Sequence, residues 1–287
     1  MSCSNARWHA GLLQWALLVT GMFTGLNGCG TEAARSAAAA DEDGELQLQL
    51  KLPAELREIS GLAETAQGTL LAVADEQALI FEINLHAATA EIWLAIGEPA
   101  LAGDFEGIEQ VGQQVWLVDS DGQLLWSDGE RYDQAATGLG EHCEIEGLAQ
   151  DPLSERLLLL CKQVRGKRLA KDQLYLRAVA VETAQRVPEE DLVFDLQEAL
   201  SALQLKKLQP SGVSFDPAGE RIAIVAAKQK ALLIFARDGS LLQARLLPAV
   251  GKHRQAEGIA ILRDGRLAIA DEGGKKSGRL SIYHRVR

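Results

Sequence analysis

Glu58-Ile59-Ser60-Gly61-Leu62 is the stretch that decides the reading of this chain, because its pattern returns four more times. The later copies are Asp104-Phe105-Glu106-Gly107-Ile108, Glu144-Ile145-Glu146-Gly147-Leu148, Pro210-Ser211-Gly212-Val213 and Gln255-Ala256-Glu257-Gly258-Ile259. In each, a small or acidic residue precedes glycine, and a branched aliphatic residue follows. The glycines stand 46, 40, 65 and 46 residues apart. A repeat of about 40–45 residues is the length of a four-stranded propeller blade. A turn and an aliphatic run follow each copy: Leu70–Val73, Val115–Val118, Leu157–Leu160, Ile222–Val225 and Leu267–Ala270. Asp121-Gly122, Asp238-Gly239 and Asp264-Gly265 are hairpin-turn dipeptides. Short strands at this spacing exclude a helical solenoid.

The long interval carries an excess that Pro188–Leu208 supplies. Leu192, Leu196, Leu200 and Leu203 fall on one helical face. Glu189, Glu190 and Asp191 precede them and Lys206 and Lys207 follow, which suits a helix dipole. Pro188 fits a first turn and Pro210 blocks continuation. The spacing therefore predicts an amphipathic helix inserted after blade three. The last interval is short instead, with room for three strands after Gly258. Glu45–Leu52 alternates Leu46, Leu48, Leu50 and Leu52 with polar residues, so it is expected to complete the final blade and close the ring. The expected class is all-β, a five-bladed β-propeller over 45–287, or six-bladed if 148–210 hides a degenerate blade.

Upstream of the repeats, residues 1–28 read as a lipoprotein signal peptide. Leu12–Phe23 is a short apolar run of signal-core dimensions. It leads into Leu26-Asn27-Gly28-Cys29, which resembles a lipobox, so Cys29 is the expected lipidation site. Residues 29–44 are small and polar, fit for a flexible tether. The expected location is the cell envelope, anchored to membrane by lipid. Gly30 after the cysteine favours the outer membrane, facing the periplasm, over the inner membrane. With Cys3 lost and Cys29 lipidated, Cys143 and Cys161 remain. They flank one short turn and either form a disulfide or stay as buried thiols.

The formal net charge is -11, which disfavours nucleic acid as a partner. The acids are not scattered. In a blade, the start of the first strand and the end of the second lie at one rim. Glu58, Glu106, Glu146 and Glu257 fall at the first place, with Asp104 and Glu144 beside them. Asp75, Asp119 and Asp271 fall at the second, with Glu76 and Glu272 adjoining. Carboxylates gathered by a fold repel one another unless a cation lies among them. Calcium accepts six to eight oxygens at flexible geometry. Those seven residues are the expected metal ligands and calcium the expected cofactor. Against this stands a plain solvated rim paired with Arg57, Arg254 or Lys162.

The five motifs, in order, resemble the blade signatures of the SdiA-regulated family, envelope propellers distantly similar to NHL-repeat proteins. The likeness covers about 45–287. It implies a five-bladed propeller with bound calcium and an undefined physiological role. Blade four departs from the acidic pattern with Gln209, Ser211 and Ala227-Lys228, and blade three places Cys161-Lys162 at the end of its second strand.

Two functions compete. One is a binding module that presents its rim to a protein or small-molecule ligand. The other is a calcium-dependent hydrolase of the lactonase, phosphoesterase or phytase-like kind. Such enzymes use asparagines beside the metal, and Asn84 is the one asparagine after Cys29. His142 and His253 precede rim motifs and could move protons, though each reads first as a solvated loop residue. Neither Ser60 nor Ser211 sits in a nucleophile elbow.

Overall fold

Strand β1 (Leu46–Lys51) leaves its own neighbourhood at once and pairs antiparallel with the last strand, β20 (Arg279–Tyr283). Leu48 faces Ile282 and Leu50 faces Leu280. The alternation of leucines in β1 is what such a half-buried strand requires. The structure is a computed structural model, and it describes residues 45–165, 170 and 172–284. The signal segment 1–28, Cys29 and the tether 29–44 lie outside the described residues.

Between those two strands the chain builds four complete blades and most of a fifth. Blade one holds β2 (Ile59–Glu64), β3 (Leu70–Ala74), β4 (Gln77–Asn84) and β5 (Thr89–Ala95). Blade two holds β6 (Phe105–Val111), β7 (Gln114–Asp119), β8 (Gln123–Ser127) and β9 (Tyr132–Ala136). Blade three holds β10 (Cys143–Asp151), β11 (Arg156–Val164), β12 (Gln173–Ala180) and β13 (Leu192–Asp195). A short α-helix, α1 (Gln197–Ala202), precedes blade four, which holds β14 (Gly212–Phe215), β15 (Arg221–Ala226), β16 (Ala231–Ala236) and β17 (Leu241–Leu246). Blade five holds β18 (Ala256–Ile261), β19 (Leu267–Asp271), β20 and, on its outside, β1. Each is a four-stranded antiparallel sheet, so the count is five.

The hydrophobic core is divided the same way. Five apolar clusters each lie between two neighbouring blades. Phe81 and Leu62 of blade one meet Leu280 and Ile282 of blade five, so the closing junction is packed like the rest. The motif glycines make the approach at the axis possible. A Cβ on Gly107 would stand 2.5 Å from the backbone nitrogen of Leu148 in blade three. One on Gly212 would collide with the carbonyl oxygen of Glu257 in blade five. Glycine is needed here because no side chain fits between the inner strands.

The inserted helix is shorter than the leucine spacing predicts. Leu192 and Val193 belong to β13, paired with Leu176 and Tyr175 of β12. Only Gln197–Ala202 is helical. Ladder pairing with β12 outweighs a weak helical preference, and Val193 and Phe194 suit a strand. Asp195 then accepts the Gln197 N–H and turns the chain into α1. Leu192, Leu196, Leu200 and Leu203 all pack on the blade-three core, as strand, turn and helix rather than as one helical face.

Candidate functional site

In four of the five blades the inner strand departs from regular pairing just before the motif glycine, and in blade four it begins at that glycine. In blade one the register passes from Ile59–Ala74 to Gly61–Val73, leaving Ser60 as the extra residue. Glu106 is the extra residue between Phe105–Asp119 and Gly107–Val118, and Glu257 between Ala256–Asp271 and Gly258–Ala270. In blade three the shift falls between Ile145 and Leu148, at Glu146-Gly147. A bulge of this kind redirects one side chain without ending the strand. Around the axis these positions therefore run Ser60, Glu106, Glu146, Ser211, Glu257.

The two serines are structural ties. Ser60 Oγ donates to the Phe105 carbonyl at 2.6 Å, and Ser211 Oγ donates to the Ala256 carbonyl at 2.7 Å. Each thus holds the residue just before a motif glutamate of the next blade. The three glutamates remain as an acidic cluster at one tunnel mouth. Glu146 and Glu257 are buried, and Glu257 is only 8 % exposed. Oε2 of Glu257 is buried with no hydrogen-bond partner.

Burial raises all three carboxyls, and neighbouring acids add to it. Glu106 is pushed up to about 9 by burial first, then by Glu146, Asp104 and Glu257. Glu257 is pushed up to about 8 by burial, then by Glu146 and Glu272. Glu146 reaches about 7, since burial outweighs its contact with Lys162. The Lys162 ammonium lies 2.5 Å from Glu146 and 3.5 Å from Glu144. Burial pulls that ammonium down, but Glu146 and Glu144 overcome it and hold it above the usual lysine value.

The other expected ligands divide into two groups. Asp75 is raised by burial and by Glu58, Glu76 and Asp104, and its Oδ1 is buried without a hydrogen-bond partner. Glu272 is pushed up to about 7 by burial, then by Asp75 and Glu58. These two, with Glu58, form an outer acidic arc, although Glu58 is also bound by Arg57 at 3.0 Å. A cavity of about 210 Å³ opens beside them, lined by Arg57, Glu58, Asp75, Glu76 and Phe81.

Asp119 and Asp271 are placed differently. Asp119 Oδ1 accepts the N–H groups of Asp121 and Gln123 and shapes the β7–β8 turn. Asp271 is fully buried between His253 Nδ1 at 2.7 Å and the Arg254 N–H. Register explains the split. Asp119 and Asp271 pair directly with Phe105 and Ala256, whereas Ala74 pairs with Ile59 and Asp75 comes one residue later. One step along a strand turns a side chain to the opposite face. The equivalents of Asp75 are thus Ser120, Lys162 and Glu272. Glu272 belongs with the arc, and only the register, not its residue type, distinguishes it from Asp271.

The two histidines also part. His142 is exposed in a turn. His253 is buried, with Nε2 2.5 Å from the Tyr283 hydroxyl. Asn84 caps the β4–β5 turn by accepting the His86 and Ala87 N–H groups. Cys143 and Cys161 are joined as a disulfide, with Cα atoms 5.5 Å apart. They directly precede Glu144 and Lys162 and so staple the hairpin that carries both.

The donor chemistry of the mouth fits a hard cation. It is all oxygen, and one buried carboxylate oxygen has no partner. Among the described residues no three Asp, Glu, His or Cys side chains converge into a closed metal cage. Such an ion would be held by Glu106 and Glu257 with its remaining positions filled by water, because Glu146 is engaged by Lys162.

Residues 189–284 match the SdiA-regulated family. The match spans the end of blade three, blade four and the β18–β20 part of blade five, including the motifs at Gly212 and Gly258. Among solved structures, the chain is similar to the PQQ-bound aldose sugar dehydrogenase from Streptomyces coelicolor. That likeness has a TM-score of 0.50 and 13% identity over 83% of this chain and 97% of the other. A luciferin-regenerating enzyme also gives a TM-score of 0.50, with 10% identity over 82% and 94% of the two chains. At such identities the likeness is one of fold. No curated protein matches the sequence.

Proposed function

We propose that this propeller is a binding module whose acidic tunnel mouth takes calcium between Glu106 and Glu257. We place it in the cell envelope, held to the membrane by lipid on Cys29 and by the 29–44 tether, with its rim free to meet a protein or small-molecule ligand. The observation that carries the reading is Glu257 Oε2, a buried carboxylate oxygen without a partner in the field of two further glutamates. Leaving such an atom unmatched costs about 1–3 kcal/mol, more if it is charged, and a cation removes that cost. When bound, calcium would supply charge neutralisation and fix the two inner strands that carry Glu106 and Glu257.

The test is a calcium titration of the chelator-stripped full chain in detergent, followed by heat of binding and by melting temperature. Saturable binding that Glu106→Gln and Glu257→Gln each weaken at least tenfold supports the reading. A flat titration with unchanged melting overturns it, and the mouth is then a solvated rim.

A further inference from the structure

We infer that Lys162 is a tethered counter-ion that occupies the Glu144–Glu146 side of the mouth and competes with an incoming divalent cation. The inference rests on the calcium reading and adds to it the residue that sets the affinity.

Position is the first argument. The register makes Lys162 the blade-three equivalent of Asp75, Ser120 and Glu272. Blade three thus offers an ammonium where blades one and five offer acids to the same mouth. Contact is the second. Lys162 reaches Glu146 at 2.5 Å and Glu144 at 3.5 Å, with its side chain 30 % exposed and Glu146 nearly buried. Its charge also bears on Glu106, Glu257 and Glu272. Anchoring is the third. Lys162 follows Cys161, and the disulfide to Cys143 fixes the hairpin on which the Lys162 ammonium stands 3.5 Å from Glu144. A lysine on a mobile loop could swing away from a metal ion, whereas this stem starts from a cross-linked pair of strands.

A unit positive charge a few ångströms from a divalent ion weakens binding by roughly tenfold or more, even at the dielectric of a protein surface. The same charge neutralises Glu144 and Glu146 when no ion is present. Lys162 thereby sets the calcium concentration at which the mouth fills.

The experiment compares calcium binding by the full chain with that of Lys162→Met and Lys162→Arg, each stripped with chelator first. Lys162→Met is expected to bind calcium about tenfold more tightly, and Lys162→Arg to stay within about twofold of the parent. Binding by Lys162→Met alone would mean that the parent takes no calcium, and the calcium reading and the competition would both fall. If the parent binds and Lys162→Met binds equally or more weakly, the inference falls while the calcium reading stands. If neither binds, both fall. Amine labelling of the parent at Lys162, read by mass spectrometry, provides a measurement that needs no variant. Calcium between Glu106 and Glu257 is expected to repel the Lys162 ammonium and speed its labelling, and an unchanged rate overturns the competition.

Discussion

His253 Nδ1 lies 2.7 Å from Asp271 Oδ2, both side chains are out of solvent, and the pair sits in the blade that closes the ring. The imidazole's other nitrogen meets the Tyr283 hydroxyl, so one side chain links β19 to β20. Replacing His253 with leucine strands a carboxylate oxygen and a phenol together. The expected loss is about 3 kcal/mol of unfolding free energy, read from urea midpoints. A loss under about 0.5 kcal/mol would mean that buried water replaces the imidazole.

Gly107→Ala is expected to destabilise by about 1–3 kcal/mol. The new methyl meets the backbone nitrogen and Cβ of Leu148, not the flexible end of a side chain. Because the glycine follows Glu106, the variant should also weaken calcium binding. Gly68→Ala is the control, since its Cβ would meet no atom within 4 Å and only its positive φ opposes it. Thermal melting of both variants checks the contrast.

The pH dependence follows from Glu106 at about 9, Glu257 at about 8 and Glu146 at about 7. Each folded value exceeds that of an unfolded glutamate, so the folded state holds the proton more tightly. Their contribution to stability is fully present below about pH 4.5 and is lost as pH rises through 7 to 9. In chelator, the melting temperature should therefore fall between pH 5 and pH 9. Glu106→Gln should flatten that slope, since its amide does not titrate, and saturating calcium should flatten it too. A slope unchanged in Glu106→Gln would assign the pH dependence elsewhere.

Cys143 and Cys161 lie 18 residues apart. Closing a loop of that size contributes about 3 kcal/mol in the chain-entropy account. Reduction, or the double change Cys143→Ser with Cys161→Ser, should lower the midpoint of unfolding by a corresponding amount. Alkylation under denaturing conditions should label these two cysteines only after a reductant is added.

The blades were legible because each carries its own copy of one pattern, and the leucine alternation of β1 identified the ring-closing strand. The carboxylates Glu106, Glu146 and Glu257 were legible as a set because they share a motif position. What misled was register. Asp75, Asp119 and Asp271 occupy similar places in the sequence, but the bulges at Ser60, Glu106 and Glu257 leave no mark in composition, and one residue decides which face an acid takes. Helical spacing misled in the same way at Leu192. Four leucines at that interval fit a helix, yet the unfilled edge of β12 claimed the first of them for a strand.

The pairing of β1 with β20 has a consequence for how the molecule is made. The first described strand to be synthesised must wait for one of the last, more than 200 residues later, before its hydrogen bonds are filled. Until then four blades stand as an open arc with two unmatched faces, and contacts this distant in sequence form slowly. A partner that covered β1 before Leu280 and Ile282 arrived would keep the arc open. Loss of the last few residues from β20 would undo the beginning of the domain as well as its end.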